Sequence, residues 1–293
     1  MRCVAVFAWC LAMAGGTVLA WNESWAASCP GNPHALGTSR VLTIAQADYP
    51  RIGTTQYGQL QQLPLADHEV VISFDDGPMP PYTDAVLKAL ANECVRATFF
   101  MVGRQASSYP DAVRRVQAAG HAIGTHSQNH PLTFDQMSIE RSRGEIDDGI
   151  ASVGAALGDP RAVAPFFRIP GLMRVNPVED YLGSRAITVW STDVVADDWY
   201  KSVAPHDIVR KAMTRLDAKG RGILLLHDVQ PATALALPQL LRELKVRGYR
   251  VVQVMPQVER SRPVAAKQET PRELVNGRRK KRTASDGWQN YRR

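Results

Sequence analysis

From Glu69 onward, short apolar runs alternate with longer stretches in which apolar residues recur every three or four positions. The runs at 69–74, 96–102, 121–125, 165–169, 186–190, 222–226 and 249–254 predict strands. Several, such as Gly222-Ile223-Leu224-Leu225-Leu226, are apolar throughout, as strands buried on both faces are. The stretches at 82–93, 109–119, 134–157, 176–183, 205–218 and 233–247 predict helices; Ala85, Leu87, Leu90 and Ala91 mark the apolar stripe of the first. Seven strands alternating with helices argue for a parallel α/β fold, most simply a closed or nearly closed barrel. An open doubly wound sheet is the alternative, weakened because no Gly-rich phosphate loop follows any strand. Residues 28–68 form a Pro- and Gly-punctuated lead-in with one strand candidate at 40–44.

Barrel chemistry gathers at the C-terminal ends of the strands. Five strand ends carry ionisable residues: Asp75 and Asp76; His126 and His130; Arg168; the acids Asp193, Asp197 and Asp198; and His227 with Asp228. Adjacent carboxylates repel, so a fold keeps Asp75 beside Asp76 only where a metal, an arginine or water compensates. His126 and His130 have metal-ligand spacing, but Pro131 disfavours helical geometry at His130, so a turn is expected there. Two imidazoles plus Asp76 make a three-ligand site with positions left open for water, the pattern of catalysis rather than of a closed structural centre.

Each residue also has a plainer reading. Two loop histidines need no metal, Asp75 could be a turn acid, Arg168 a structural ion pair and His227 a satisfied core histidine. Taken together they suggest Asp75 as a base held ionised by Arg168. They suggest His227 as an acid whose proton is retained by an acidic partner, Asp198 or Asp197. Trp190, Trp199 and Leu225 are candidates to wall a small apolar pocket, with core packing the plainer reading for the aromatics.

These residues fall into five motifs, in an order that resembles the polysaccharide deacetylase (NodB-homology) family, carbohydrate esterase family 4. They are Ser73-Phe74-Asp75-Asp76-Gly77-Pro78, His126-Ser127-Gln128-Asn129-His130, Arg168-Ile169-Pro170-Gly171, Asp197-Asp198-Trp199 and Leu225-Leu226-His227-Asp228. The resemblance spans residues 70–254, and its first two motifs are the most specific. It implies a distorted (β/α)7 barrel. It also implies a divalent metal, usually zinc and sometimes cobalt or another ion, held by Asp76, His126 and His130. Asp75 would be the general base oriented by Arg168, and His227 the general acid tuned by Asp198. Trp190 and Leu225 would wall the acetyl pocket, and a backbone N–H near Gly171 would help stabilise an oxyanion.

The implied substrate is an N-acetylated glycan of chitooligosaccharide, peptidoglycan or exopolysaccharide type, which would lose N-acetyl groups as acetate. Ester O-deacetylation of xylan or exopolysaccharide is the rival chemistry, and a non-catalytic glycan-binding protein on the same scaffold is the rival class. Two departures from the family pattern stand out. Gly171 replaces the usual aromatic of the third motif, and the segment from Trp190 to Asp198 is longer than usual.

Charge and the termini add a compartment. Residues 3–22 carry no charge, and small residues follow at Ser24, Ala26 and Ala27. Residues 1–27 therefore read as a signal peptide, with an uncleaved anchor as the alternative. Export leaves Cys29 and Cys94, which could form one disulfide or remain two thiols. Residues 256–293 hold 11 basic and 4 acidic residues, which accounts for the whole net charge of +7. This basic tail reads as disordered. Its candidate partners are anionic lipid or cell-wall polymer, and export argues against nucleic acid. The catalytic domain is expected at 69–255.

Overall fold

The computed structural model describes residues 29–257. The expected signal peptide and basic tail lie outside the described residues. In chain order the elements are β1 (Thr38–Ile44), β2 (Arg51–Ile52), α1 (Thr54–Tyr57), β3 (Glu69–Asp75), α2 (Tyr82–Asn92), β4 (Thr98–Met101), α3 (Gly103–Ser108), α4 (Pro110–Ala118) and β5 (Ala122–Thr125). They continue with α5 (Ile139–Leu157), β6 (Phe166–Phe167), α6 (Asn176–Ser184), β7 (Thr188–Trp190), β8 (Val194–Val195), α7 (Pro205–Lys219), β9 (Gly222–His227), α8 (Pro231–Val246) and β10 (Arg250–Pro256). All seven expected strands and all six expected helices are among them. The expected helix at 134–157 begins only at Ile139, because Ser138 is extended and caps it by accepting the Arg141 N–H at 3.4 Å.

Every strand pairing among the described residues is parallel. The central strand is β3. It pairs with β9 along Val70–Asp75, with β4 at Ser73–Asp75 and with β10 at Glu69–Val70. From β4 the ladder continues through β5, β6 and β7 to β2, and on the other side β8 follows β9. The result is the parallel α/β barrel that the alternation predicted, in the distorted form that the family resemblance implied. Sequence alone did not reveal β2 and β8, which are two residues each and too short to show a period.

Side-chain parity explains which residues face the barrel interior. On β3, Val70, Ile72 and Phe74 join the cluster beneath the helices, while Val71 joins the interior cluster. Ser73 and Asp75 therefore share the interior face with Val71. On β9, Leu224 and Leu226 point outward and Ile223 inward, so Leu225 and His227 follow Ile223 to the interior. Phe100, Phe166 and Trp190 fill the interior beneath the rim.

The lead-in is part of this fold. Its β1 pairs with β10 from Thr38↔Val251 to Ile44↔Pro256, and β2 pairs with β7. A disulfide joins Cys29 to Cys94 just after α2, a bond suited to an oxidising compartment. Asp193 departs from the expected rim position. It lies at the N-terminal end of β8, at the opposite mouth, where its carboxylate accepts the N–H groups of Ile223 and Thr54, each at 2.8 Å. It thus pins α1 to the base of the barrel.

Candidate active site

At the C-terminal end of β3 the backbone alters the strand rule. Adjacent strand residues point to opposite faces, so Asp76 should leave the interior that Asp75 enters. Asp76 instead takes a left-handed conformation with φ 77°, which turns its carboxylate back to the rim. Ser127 and His130 are also left-handed, at φ 64° and 58°, and the loop after β5 folds both imidazoles over the same point. Their ring centroids are 4.8 Å apart. Asp76 Oδ1 lies 3.2 Å from His130 Nε2 and 3.6 Å from His126 Nε2.

This cluster has the electron-rich character of a cation site. His126 Nδ1 is 2.6 Å from the Arg168 carbonyl, which can only accept, so Nδ1 carries the hydrogen and Nε2 presents a bare lone pair. Burial pushes His126 down to about 3, against the attraction of Asp76, so the ring is neutral. That lone pair faces Asp75 Oδ2 and Asp76 Oδ1, each at 3.6 Å. Asp76 Oδ1 is itself buried without a hydrogen-bond partner among the described residues. Bare lone pairs that face one another in this way are unfavourable unless a cation lies between them. The one candidate metal group among the described residues is Asp76, His126 and His130, with ligand atoms within 4.8 Å of one another. One carboxylate oxygen and two imidazole nitrogens suit a borderline divalent ion such as zinc.

Asp75 is 2% exposed. Arg168, fully buried, donates to Asp75 Oδ1 at 2.6 Å and to Ser73 Oγ at 3.1 Å from Nη1, and to the Ser191 carbonyl at 3.0 Å from Nη2. The guanidinium also lies 4.3 Å from the centroid of the Phe100 ring. Burial raises the Asp75 carboxyl above its ordinary value, and the Arg168 charge opposes this without cancelling it. A buried, oriented carboxylate of raised basicity results.

Across the rim, His227 Nδ1 is 2.8 Å from Asp198 Oδ1. Asp198 Oδ2 accepts the His227 backbone N–H at 2.7 Å and the Thr233 hydroxyl at 2.6 Å. Burial works against the imidazolium, but the Asp198 bond and the charges of Asp198, Asp76 and Asp75 outweigh it and push His227 up to about 9. Asp197, the alternative partner, points away and is held by Arg215 at 2.8 Å and Lys211 at 3.0 Å.

Asp75, Asp76, His126, His130, Gly171, Leu225 and His227 line one cavity of about 450 Å³. Arg168 stands behind Asp75 and Asp198 behind His227. Trp190 does not line this cavity. It is buried one layer deeper, with ring centroids 5.2 Å from Phe100 and 5.0 Å from Phe166. The aromatic that reaches the cavity is Trp199, whose ring centroid is 5.8 Å from that of His227. Leu132, Ile169, Leu172 and Val195 also line it and were not foreseen. Their only sequence signal is position, since Ile169 lies inside a motif and the other three lie within two residues of one.

A parallel α/β barrel whose rim gathers a cation-type donor set, an arginine-held acid and an aspartate-held imidazole defines a hydrolase-type centre. The polysaccharide deacetylase profile matches residues 63–188. A Bacillus cereus protein named peptidoglycan-N-acetylglucosamine deacetylase is 34% identical over 199 residues, covering 66% of this chain and 89% of the relative. A second B. cereus protein of that name is 29% identical over 187 residues, and the match covers 61% of this chain and 66% of that protein. A chitooligosaccharide deacetylase of Azorhizobium caulinodans is 31% identical over 185 residues, covering 61% of this chain and 83% of the relative. A solved Bdellovibrio bacteriovorus peptidoglycan deacetylase superposes with TM-score 0.66 at 30% identity, over 75% of this chain and 59% of that one. The chain belongs to the polysaccharide deacetylase family, carbohydrate esterase family 4.

Proposed function

We propose that this protein removes N-acetyl groups from amino sugars of a glycan, with N-acetylglucosamine as the sugar, and releases acetate and a free amine. The observation that carries the reading is the orphaned Asp76 carboxylate oxygen facing the two imidazoles, with Asp75 and His227 on the same cavity. The relatives, peptidoglycan-N-acetylglucosamine and chitooligosaccharide deacetylases by name, support the substrate class.

Asp76, His126 and His130 would hold a divalent cation, zinc by donor type, with cobalt or another divalent ion as alternatives. Bound there, such an ion supplies Lewis-acid chemistry, acidifying water and polarising a carbonyl oxygen. The remaining chemistry is done by side chains. Asp75, kept basic by burial and aimed by Arg168, takes the proton of the attacking water. Gly171 offers a backbone N–H from the cavity wall to the developing oxyanion. Leu225, Val195 and Trp199 exclude water around the acetyl methyl. His227, protonated at neutral pH through Asp198, delivers its proton to the departing nitrogen, which cannot leave as an amide anion. The Cys29–Cys94 bond and the leader-like residues 1–27 support work in the periplasm or outside the cell.

The test is acetate release from chitooligosaccharide, peptidoglycan, exopolysaccharide and acetylated xylan by zinc-loaded protein, with and without chelator. Chelator-sensitive release from an N-acetylated glycan is expected. Release from xylan alone would replace the reading with ester chemistry, and glycan binding without any release would replace it with a binding role.

A further inference from the structure

Helix α5 runs behind the loop that carries both histidines. Glu145, Gly149 and Ser152 are spaced by four and three residues and so share the face that meets this loop. The Glu145 carboxylate accepts the Asn129 backbone N–H and the Asn129 side-chain amide, each at 2.8 Å. The Glu145 carbonyl accepts the Gln128 N–H at 2.8 Å. Ser152 Oγ donates to Gln128 Oε1 at 2.9 Å. At Gly149 the loop comes so close that a Cβ would stand 2.7 Å from the Ser127 carbonyl carbon and 2.9 Å from its oxygen. From the other side, the N–H groups of Gly103 and Arg104 donate to the carbonyls of Ser127 and Gln128, each at 2.9 Å.

All three residues between the histidines are therefore gripped. Two of the loop's residues, Ser127 and His130, adopt left-handed backbone, which side-chain-bearing residues keep only when their surroundings enforce it. Release of the grip would let His130 swing away from Asp76.

We infer that Glu145, assisted by Gly149 and Ser152, is the positioning device that fixes His130 against His126 and Asp76, so that a helix outside the cavity sets cation affinity. The inference rests on reading those three residues as a cation site.

The test is titration of the chelator-stripped full chain with Co(II), followed by its visible absorption, and with zinc by competition. Glu145→Gln offers one oxygen to a loop that presents two N–H groups. Its cation affinity should fall about 10- to 100-fold, as when a partner that orients a metal ligand is lost. Its cobalt spectrum should also change, while the melting point of the cation-free protein stays near wild type. Asn129→Ala keeps the backbone N–H and should lose less. Asp148→Asn, on the exposed face of the same helix, should match wild type. Affinities of Glu145→Gln and Asn129→Ala within about twofold of wild type overturn the inference. Wild type that takes up no cobalt overturns the cation-site reading instead. If Glu145→Gln does not fold, Asn129→Ala decides by the same criterion.

Discussion

The two sides of the cavity are built on opposite plans. On the Asp76, His126 and His130 side, backbone is left-handed at Asp76 and His130, and a buried carboxylate oxygen faces a bare imidazole lone pair. On the His227 side, the residue ends a regular strand, and Asp198 accepts hydrogen bonds from the His227 ring, the His227 backbone and Thr233. The first side is incomplete as protein alone. The second is satisfied internally and needs nothing from outside to hold its geometry. In the proposed mechanism, cation binding falls to the frustrated half and proton delivery to the relaxed one.

Substitutions around the cavity should separate cation holding from proton transfer. His126→Ala and Asp75→Asn should each lower acetate release by about a thousandfold or more, but only His126→Ala should lose cation binding, measured by calorimetry. Equal cation loss in both would erase the distinction between ligand and base. His227→Gln should lower turnover by about 10²- to 10⁴-fold while binding the cation as wild type does.

A subtler contrast concerns stability. Cation at a hundred times its Kd should stabilise the folded chain by about 2.7 kcal/mol over the stripped form in denaturant titration. His227→Gln should keep that whole increment, and His130→Ala should lose it.

The smallest effect is one of pH. His227 is raised from 6.5 to about 9 on folding, so its contribution is fully present below pH about 6.5 and is lost as pH rises through about 9. Asp198→Asn removes the main support of that shift. In chelator, melting curves of the variant should therefore fall less steeply than wild type between those limits. The alkaline limb of its residual activity should also begin at lower pH. Parallel curves would mean that Asp198 does not hold the His227 proton.

How much of this could be read from the chain follows from the range of each interaction. Asp75, Asp76, His126, His130, Arg168 and His227 stand at the ends of strands whose apolar pattern is plain, so topology alone brings them to one rim. Trp190 misled because it ends a strand as they do. Its parity with Phe166 and Arg168 sends it into the barrel, where it packs on Phe100 and Phe166, contacts between separate strands that no local pattern encodes. Asp193 misled because β8 restarts directly after it, so the chain had already returned to the opposite mouth. The choice of Asp198 over Asp197 likewise turned on one left-handed residue, Asp197 at φ 57°. The grip of Glu145 on Asn129 joins residues of different elements and has no signature in either.

The two lead-in strands carry a practical lesson for anyone trimming this enzyme. Cutting back to the start of the profile match at residue 63 would strip β1 from β10 and β2 from β7. Two long-protected rows of backbone amides and carbonyls would then lie bare beside Val252, Val254 and Trp190, inviting neighbouring molecules to stitch on as replacement strands. A shortened version should precipitate even though every residue of the catalytic constellation survives the cut.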